Sequence, residues 1–326
     1  MKSTKKVVVL FLVFCTLIAL ASPVWAASAR KKIRWGTASV GSGTYTYAAT
    51  LAKIVNTYSK KIEIEVYPSA GANVLPADLL SGEAQVVLGN TQTSYDAFHG
   101  TGLFNGKPNP KLRLIFPQGY GETHVIVRAN SDIKTVADMK GKKVALTTQG
   151  SSSYQQGYYL LSAYGLSEKD MSIIYLSWQD QVSALKDGDV DAVIFGTPRG
   201  SSVITDAMTS NLGMRLIPVP NDIWEKIAAM IPEGYFVPVD LPANTYPNQP
   251  EAVSTFAIVP NWMCMADLDD ETVTEILTVF WDNKAEAEDA YASVKLTNEE
   301  LLNKTMCIPW HPAAEKFFKE RGLLKK

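Results

Sequence analysis

Two kinds of unit each occur twice along this chain, and that doubling constrains the fold more than any other feature. The first unit is a short strand, a Gly/Ser-rich turn and a helix. It runs over residues 32–37, 38–43 and 44–58, and again over 143–147, 148–153 and 154–164. In the earlier helix Ala48, Leu51, Ala52, Val55 and Tyr58 recur at three- and four-residue steps, which predicts one apolar face. The second unit is a helix, a Gly-acidic turn, a continuous apolar strand and then polar residues, over 79–91 and 184–197. Short apolar strands without alternation read as parallel strands covered by helices on both faces. Strand–helix alternation predicts an α/β fold, and its repetition predicts two such lobes in one chain. The other explanation is that both halves merely share common α/β grammar.

The 326 residues are enough for two lobes with real cores, and 46% hydrophobic content excludes a disordered tail. With 31 basic and 33 acidic side chains there is no cationic excess to neutralise phosphates, which removes nucleic acid as a default partner. At the start, Lys2, Lys5 and Lys6 precede an apolar run over 7–20 and a small-residue stretch ending at Ala26. That order predicts a secretory leader over 1–26, cleaved after Ala26, and hence a periplasmic mature protein. The run is shorter than the ~20 residues a spanning helix needs. Cys15 follows Phe14 and lacks the small-residue context of a lipid-modified cysteine. Beyond the leader only Cys264 and Cys307 remain, as one disulfide or as two buried thiols. Cys307 and His311 have metal-compatible spacing but no third ligand beside them, so no metal and no cofactor is expected.

The doubled units bring chemistry to the carboxyl ends of strands, where open α/β sheets bind ligands. A helix beginning there exposes unpaired N–H groups and the positive end of its dipole, which suits an anion. Around Gly41 and Gly43 the backbone can come close to a ligand, Ser42 and Thr44 add hydroxyls, and the candidate contacts run from Ser42 to Tyr45. In the second half Ser151, Ser152 and Ser153 do the same. Two such turns facing one another would grip a small carboxylate from both sides; singly, each is an ordinary helix cap. Asn90 and Gln92 follow the first buried strand, and Arg199 follows the second. A guanidinium holds a carboxylate through two parallel hydrogen bonds, although an arginine on a loop is also simply a surface residue. Trp178 is a further candidate for the cleft wall, while Trp35, Tyr45 and Tyr47 are either walls or core aromatics.

Nucleotide and catalytic readings fail on their own requirements. A phosphate-cradling loop needs lysine where Ser42 stands, and a dinucleotide fingerprint needs glycine where Thr46 stands. No Gly-x-Ser-x-Gly elbow exists, and His99, His124 and His311 have no partner at catalytic spacing.

The stretch 41–45, Gly-Ser-Gly-Thr-Tyr, resembles the Gly-Gly-Thr-Tyr-Tyr turn of the extracytoplasmic solute receptors of tripartite ATP-independent periplasmic transporters, TAXI subfamily. Residues 80–85 with 95–102, then 136–144, 242–247 and 309–315, resemble further segments of that family in the same order. The resemblance implies a type II periplasmic-binding-protein fold of two mixed sheets flanked by helices. Lobe one would take 27–124 and 255–326, lobe two 125–254, with crossing strands near 123–128 and 254–265. It also implies a non-catalytic monomer that closes on a small organic acid, such as a dicarboxylate, a 2-oxo acid or an acidic amino acid, and hands it to an integral-membrane permease. A receptor for an ATP-driven importer or a sensor kinase would share the fold, as would a periplasmic enzyme. The chain departs from the family at 70–75 and at 90–92, where Asn-Thr-Gln replaces Gln-Ser-Asp, and Arg199 has no counterpart in it. Exchanging Asp for Gln92 removes a partner for an ammonium group, which points to an acid without an amine.

Overall fold

The computed structural model describes residues 29–325 apart from 41, 70 and 305. The leader, its cleavage point, Cys15 and Gly41 lie outside the described residues. Two mixed sheets carry the fold. The first contains β1 (Lys31–Thr37), β2 (Ile62–Pro68), β3 (Val86–Asn90), β4 (Leu112–Pro117) and β12 (Pro260–Met265), in the order β2-β1-β3-β12-β4. The second contains β5 (Gly121–Arg128), β6 (Lys143–Leu146), β7 (Ser172–Tyr175), β8 (Ala192–Thr197), β10 (Val237–Leu241) and β11 (Val253–Ile258), in the order β10-β11-β5-β8-β6-β7, with β9 (Met214–Leu216) paired to β5.

The internal doubling appears as shared topology. β1 lies parallel between β2 and β3, and β6 lies parallel between β7 and β8. Each apolar strand of the second unit, β3 and β8, has a parallel neighbour on one side only. On the other side β3 meets β12 and β8 meets β5, both antiparallel, where the chain passes between sheets. Their continuous apolar character therefore reflects burial on both faces rather than a wholly parallel sheet.

Two helices sit where the doubled strand–turn–helix pattern puts them. Helix α1 (Gly43–Tyr58) buries Ala48, Leu51, Ala52 and Val55, but Tyr58 stays 49% exposed and donates to Glu286 at 2.7 Å. Helix α2 (Thr91–His99) follows β3, and helix α3 (Ser152–Ala163) follows the second turn. Trp35 and Tyr47 are fully buried core residues: Trp35 meets Trp262 edge-on at 5.2 Å, and Tyr47 packs on Trp262, Phe116 and Phe280. Such rings bury large apolar areas and set the first lobe's interior.

Cys264 and Cys307 are both free thiols. Cys307 donates to the Thr91 carbonyl at 2.8 Å, and burial pushes its thiol up to about 12. The histidines hold structural posts. His311 caps helix Pro312–Glu320, His99 stacks on Tyr95 at 4.2 Å, and His124 is buried on β5.

Candidate functional site between the lobes

β3 runs straight into a helix, β1 and β6 each reach one after a short turn, and each helix is capped by a side chain that the chemistry of caps selects. Ser42 accepts from the Tyr45 N–H at 3.2 Å, Asn90 from Thr93 at 2.9 Å, and Ser151 from Tyr154 at 3.1 Å. β1 and β3 are adjacent parallel strands, so the N-termini of α1 and α2 open on the same edge of the first sheet. The opposing lobe reaches that edge directly. Asn90 Nδ2 donates to Ser152 Oγ at 3.1 Å, and Asn73 Nδ2 donates to the Gly150 carbonyl at 3.2 Å.

The remaining candidates fall at different distances from this seam. Thr44 and Ser42 share a hydroxyl contact at 3.2 Å at the mouth of α1, with Gly43 and half-buried Tyr45 beside them. Ser153 turns inward and accepts from the Gly196 N–H at 2.8 Å. Trp178 stacks on Phe195 at 6.3 Å within an apolar cluster of the second lobe, away from the Asn90–Ser152 contact.

Arg199 is engaged by the protein itself. Its Nε donates to Glu122 Oε1 at 2.5 Å, its backbone N–H donates to Oε2 at 2.8 Å, and its guanidinium lies over the Tyr120 ring. Glu122 has no exposed side-chain surface, whereas Arg199 keeps 22%. Burial pushes the Glu122 carboxyl above the usual range and the guanidinium pulls against it. Next along β5, His124 bridges the Glu122 carbonyl at 2.9 Å and Tyr246 at 2.8 Å, and burial holds its pKa down at about 4.

Two cavities open where the sheets meet. One, of about 530 Å³, is lined by Tyr120, Arg199, Trp224, Asp240, Asn298 and Lys304. The other, of about 470 Å³, takes Asn73, Gln92 and Asp96 from the first lobe and Gln155, Tyr159 and Tyr235 from the second. Each cavity has one unpartnered buried polar atom among its lining residues: Tyr120 OH in the larger and Gln92 Oε1 in the smaller. Each is costly unless something bonds it, and buried polar atoms in proteins are otherwise almost always paired. Asp96 escaped the candidate residues above. It lies in the 95–102 segment, whose family resemblance marked the stretch but not the direction of the acid, and only the fold turns it toward this cavity.

Sequence similarity reaches a protein of Escherichia coli strain K12 named for aliphatic sulfonate binding, with 40% identity over 97 residues, 30% of this chain and 27% of that protein. The chain spans about a quarter of the length of the curated relatives it matches. The crystal structure of the periplasmic aliphatic sulphonate-binding protein of Escherichia coli superposes with a TM-score of 0.52 at 18% identity, covering 89% of this chain and 84% of that one. An extracellular-binding protein of Bacillus subtilis assigned to an amino-acid ABC transporter gives 0.50 at 14% identity, covering 84% and 98%. Identities this low speak to the fold alone. Residues 35–322 match the NMT1-like family, so the chain belongs to that family and has the two-lobed fold of type II periplasmic binding proteins.

Proposed function

We propose that this chain is an exported, non-catalytic solute receptor that closes on a small organic anion and presents the closed form to a membrane permease. The observation that carries the reading is the meeting of helix N-termini from both lobes at one seam, joined by the Asn90–Ser152 bond. Exposed N–H groups and helix dipoles there favour a carboxylate or sulfonate. The lobe division proposed at 124/125 and 254/255 falls a few residues inside the second sheet, which runs from Gly121 to Ile258. The ligand-contacting set is Ser42, Gly43, Thr44, Tyr45, Asn90, Gln92, Ser151, Ser152 and Ser153. Arg199, which lines the larger cavity rather than the one at Gln92, is the outlying member of the set, and Trp178 sits at the margin. Closure is a population shift, so the ligand binds the closed state more tightly than the open one.

An ATP-driven importer is the favoured partner, by analogy with the Bacillus subtilis ABC-transporter protein that shares this fold. The tripartite ATP-independent reading of the TAXI subfamily keeps separate support in the segments at 41–45, 242–247 and 309–315. Reconstitution in vesicles with each permease type separates them: uptake driven by ATP favours the first, uptake driven by an ion gradient the second.

The receptor reading is tested by a thermal-shift screen of alkanesulfonates, dicarboxylates and 2-oxo acids with small-angle scattering on the hits. A true ligand at a hundredfold excess over its Kd adds ~2.7 kcal/mol and compacts the molecule. No stabilisation and no compaction by any acid would overturn it. Arg199→Ala should weaken acid binding at least about tenfold, or ~1.4 kcal/mol, by calorimetry. An unchanged affinity removes Arg199 from the site.

A further inference from the structure

The smaller interlobe cavity contains a buried carboxylate with no cation. Asp96 is 9% exposed. Its Oδ1 accepts from Thr101 Oγ1 at 2.7 Å, and its Oδ2 has only a long contact from Tyr235 OH at 3.3 Å. Among the described residues no lysine, arginine or histidine lies within ion-pairing distance of it. One turn earlier on the same helix, Gln92 is 8% exposed, and its Oε1 lacks any partner. Residues four apart share a helix face, so both acceptors line one hollow. The aromatic wall is equally specific: Tyr235 meets Tyr95 edge-on at 5.8 Å and Tyr159 at 6.4 Å. Ring faces attract cations, and an uncompensated buried carboxylate needs one. Gly102, at φ +51, brings the following loop close: a Cβ there would stand 2.5 Å from Asp96 Oδ2.

We propose that Asp96, Gln92 and the surrounding tyrosines form a subsite for the protonated amine of a small-molecule ligand. The inference rests on the receptor reading for its location between the lobes and goes beyond it in ligand chemistry. It revises the expectation drawn from Gln92 alone, because the carboxylate missing at that position is supplied one turn later. The ammonium donates to Asp96 Oδ2 and Gln92 Oε1, and Tyr235 and Tyr159 flank it.

The test uses matched probes with the full mature chain: 4-aminobutyrate against butyrate, taurine against ethanesulfonate, and n-butylamine alone. The amine member of a pair should bind at least tenfold more tightly. Asp96→Asn, which keeps an acceptor for Thr101 and removes the charge, should erase that preference, weakening the amine member at least tenfold. A role limited to holding the 100–104 turn would not alter discrimination between such pairs. Equal binding of both members by the unmodified protein overturns the subsite and leaves the receptor reading intact, as does a preference that survives Asp96→Asn. Binding of n-butylamine that Asp96→Asn abolishes, with no acid bound, keeps the subsite and overturns the anion reading. If none of the probes binds, the subsite falls and the receptor reading stands or falls on the wider acid screen.

Discussion

Two buried carboxylates are treated in opposite ways: Asp96 lines the smaller cavity, whereas Glu122 lies behind Arg199, which lines the larger. Glu122 is fully buried and answered within the protein, by the Arg199 guanidinium and by a backbone N–H. Asp96 is nearly as buried, yet it has hydroxyl donors only. Desolvation raises both, but only Glu122 has a cation pulling against it. A buried charge with its counter-charge is a fixed joint between β5 and the loop after β8. A buried charge without one is an acceptor left to be satisfied from outside, and such groups cluster at functional sites.

That contrast can be broken most forcefully at its paired end. Arg199→Ala leaves Glu122 buried without its counter-charge and should cost about 3–5 kcal/mol in urea unfolding, and adding Glu122→Gln should recover much of it. Equal stabilities for the single and double variants would mean the pair is no joint. Next comes His124, on the same strand as Glu122. With a folded pKa near 4, it refuses a proton that the unfolded chain accepts. Its contribution to stability is present above the unfolded value of ~6.5 and drains away as pH falls toward 4, by up to roughly 3 kcal/mol. His124→Gln should flatten that limb of the stability–pH curve, and an unchanged slope would assign the acid sensitivity elsewhere.

The unpaired end has the opposite sign. Asp96 is raised by burial, so its favourable contribution exists at low pH and is lost as pH climbs through its folded pKa. Asp96→Asn should therefore melt a few degrees higher than the unmodified protein at pH 7, with the gap closing in acid. A lower melting temperature at neutral pH would show that Asp96 is already compensated. The smallest effect belongs to the seam itself. Ser152→Ala removes one cross-lobe bond and should cost about 0.5–1.5 kcal/mol of closure, read as a larger radius of gyration.

Local structure was largely legible in the chain. Turn chemistry and helix periodicity located α1 and α3 within two residues of their starts, and the serines expected at those turns, Ser42 and Ser151, are the caps. Periodicity erred at Tyr58, because a helix's last turn can carry an apolar side chain past the edge of what it covers. The site was legible only where it is local. Glu122 and Arg199 are 77 residues apart, so nothing near Arg199 announces that its Nε is already committed. Asp96 follows Tyr95 inside a helix, where an acid ordinarily faces water. It faces inward because Tyr235, from the other half of the chain, packs over it.

The sheet order has a further consequence for how the molecule comes into being. All strands of the second sheet lie within residues 121–258, one uninterrupted stretch. The first sheet, although it starts the chain, keeps a gap between β3 and β4 that only β12 fills. Chains are made N-terminus first, and contiguous units fold as they are completed. The later half can thus assemble while the earlier half waits for residues 260–265, so a nascent chain stopped before them would hold one finished lobe and one whose last rib, β4, has nothing to lean on.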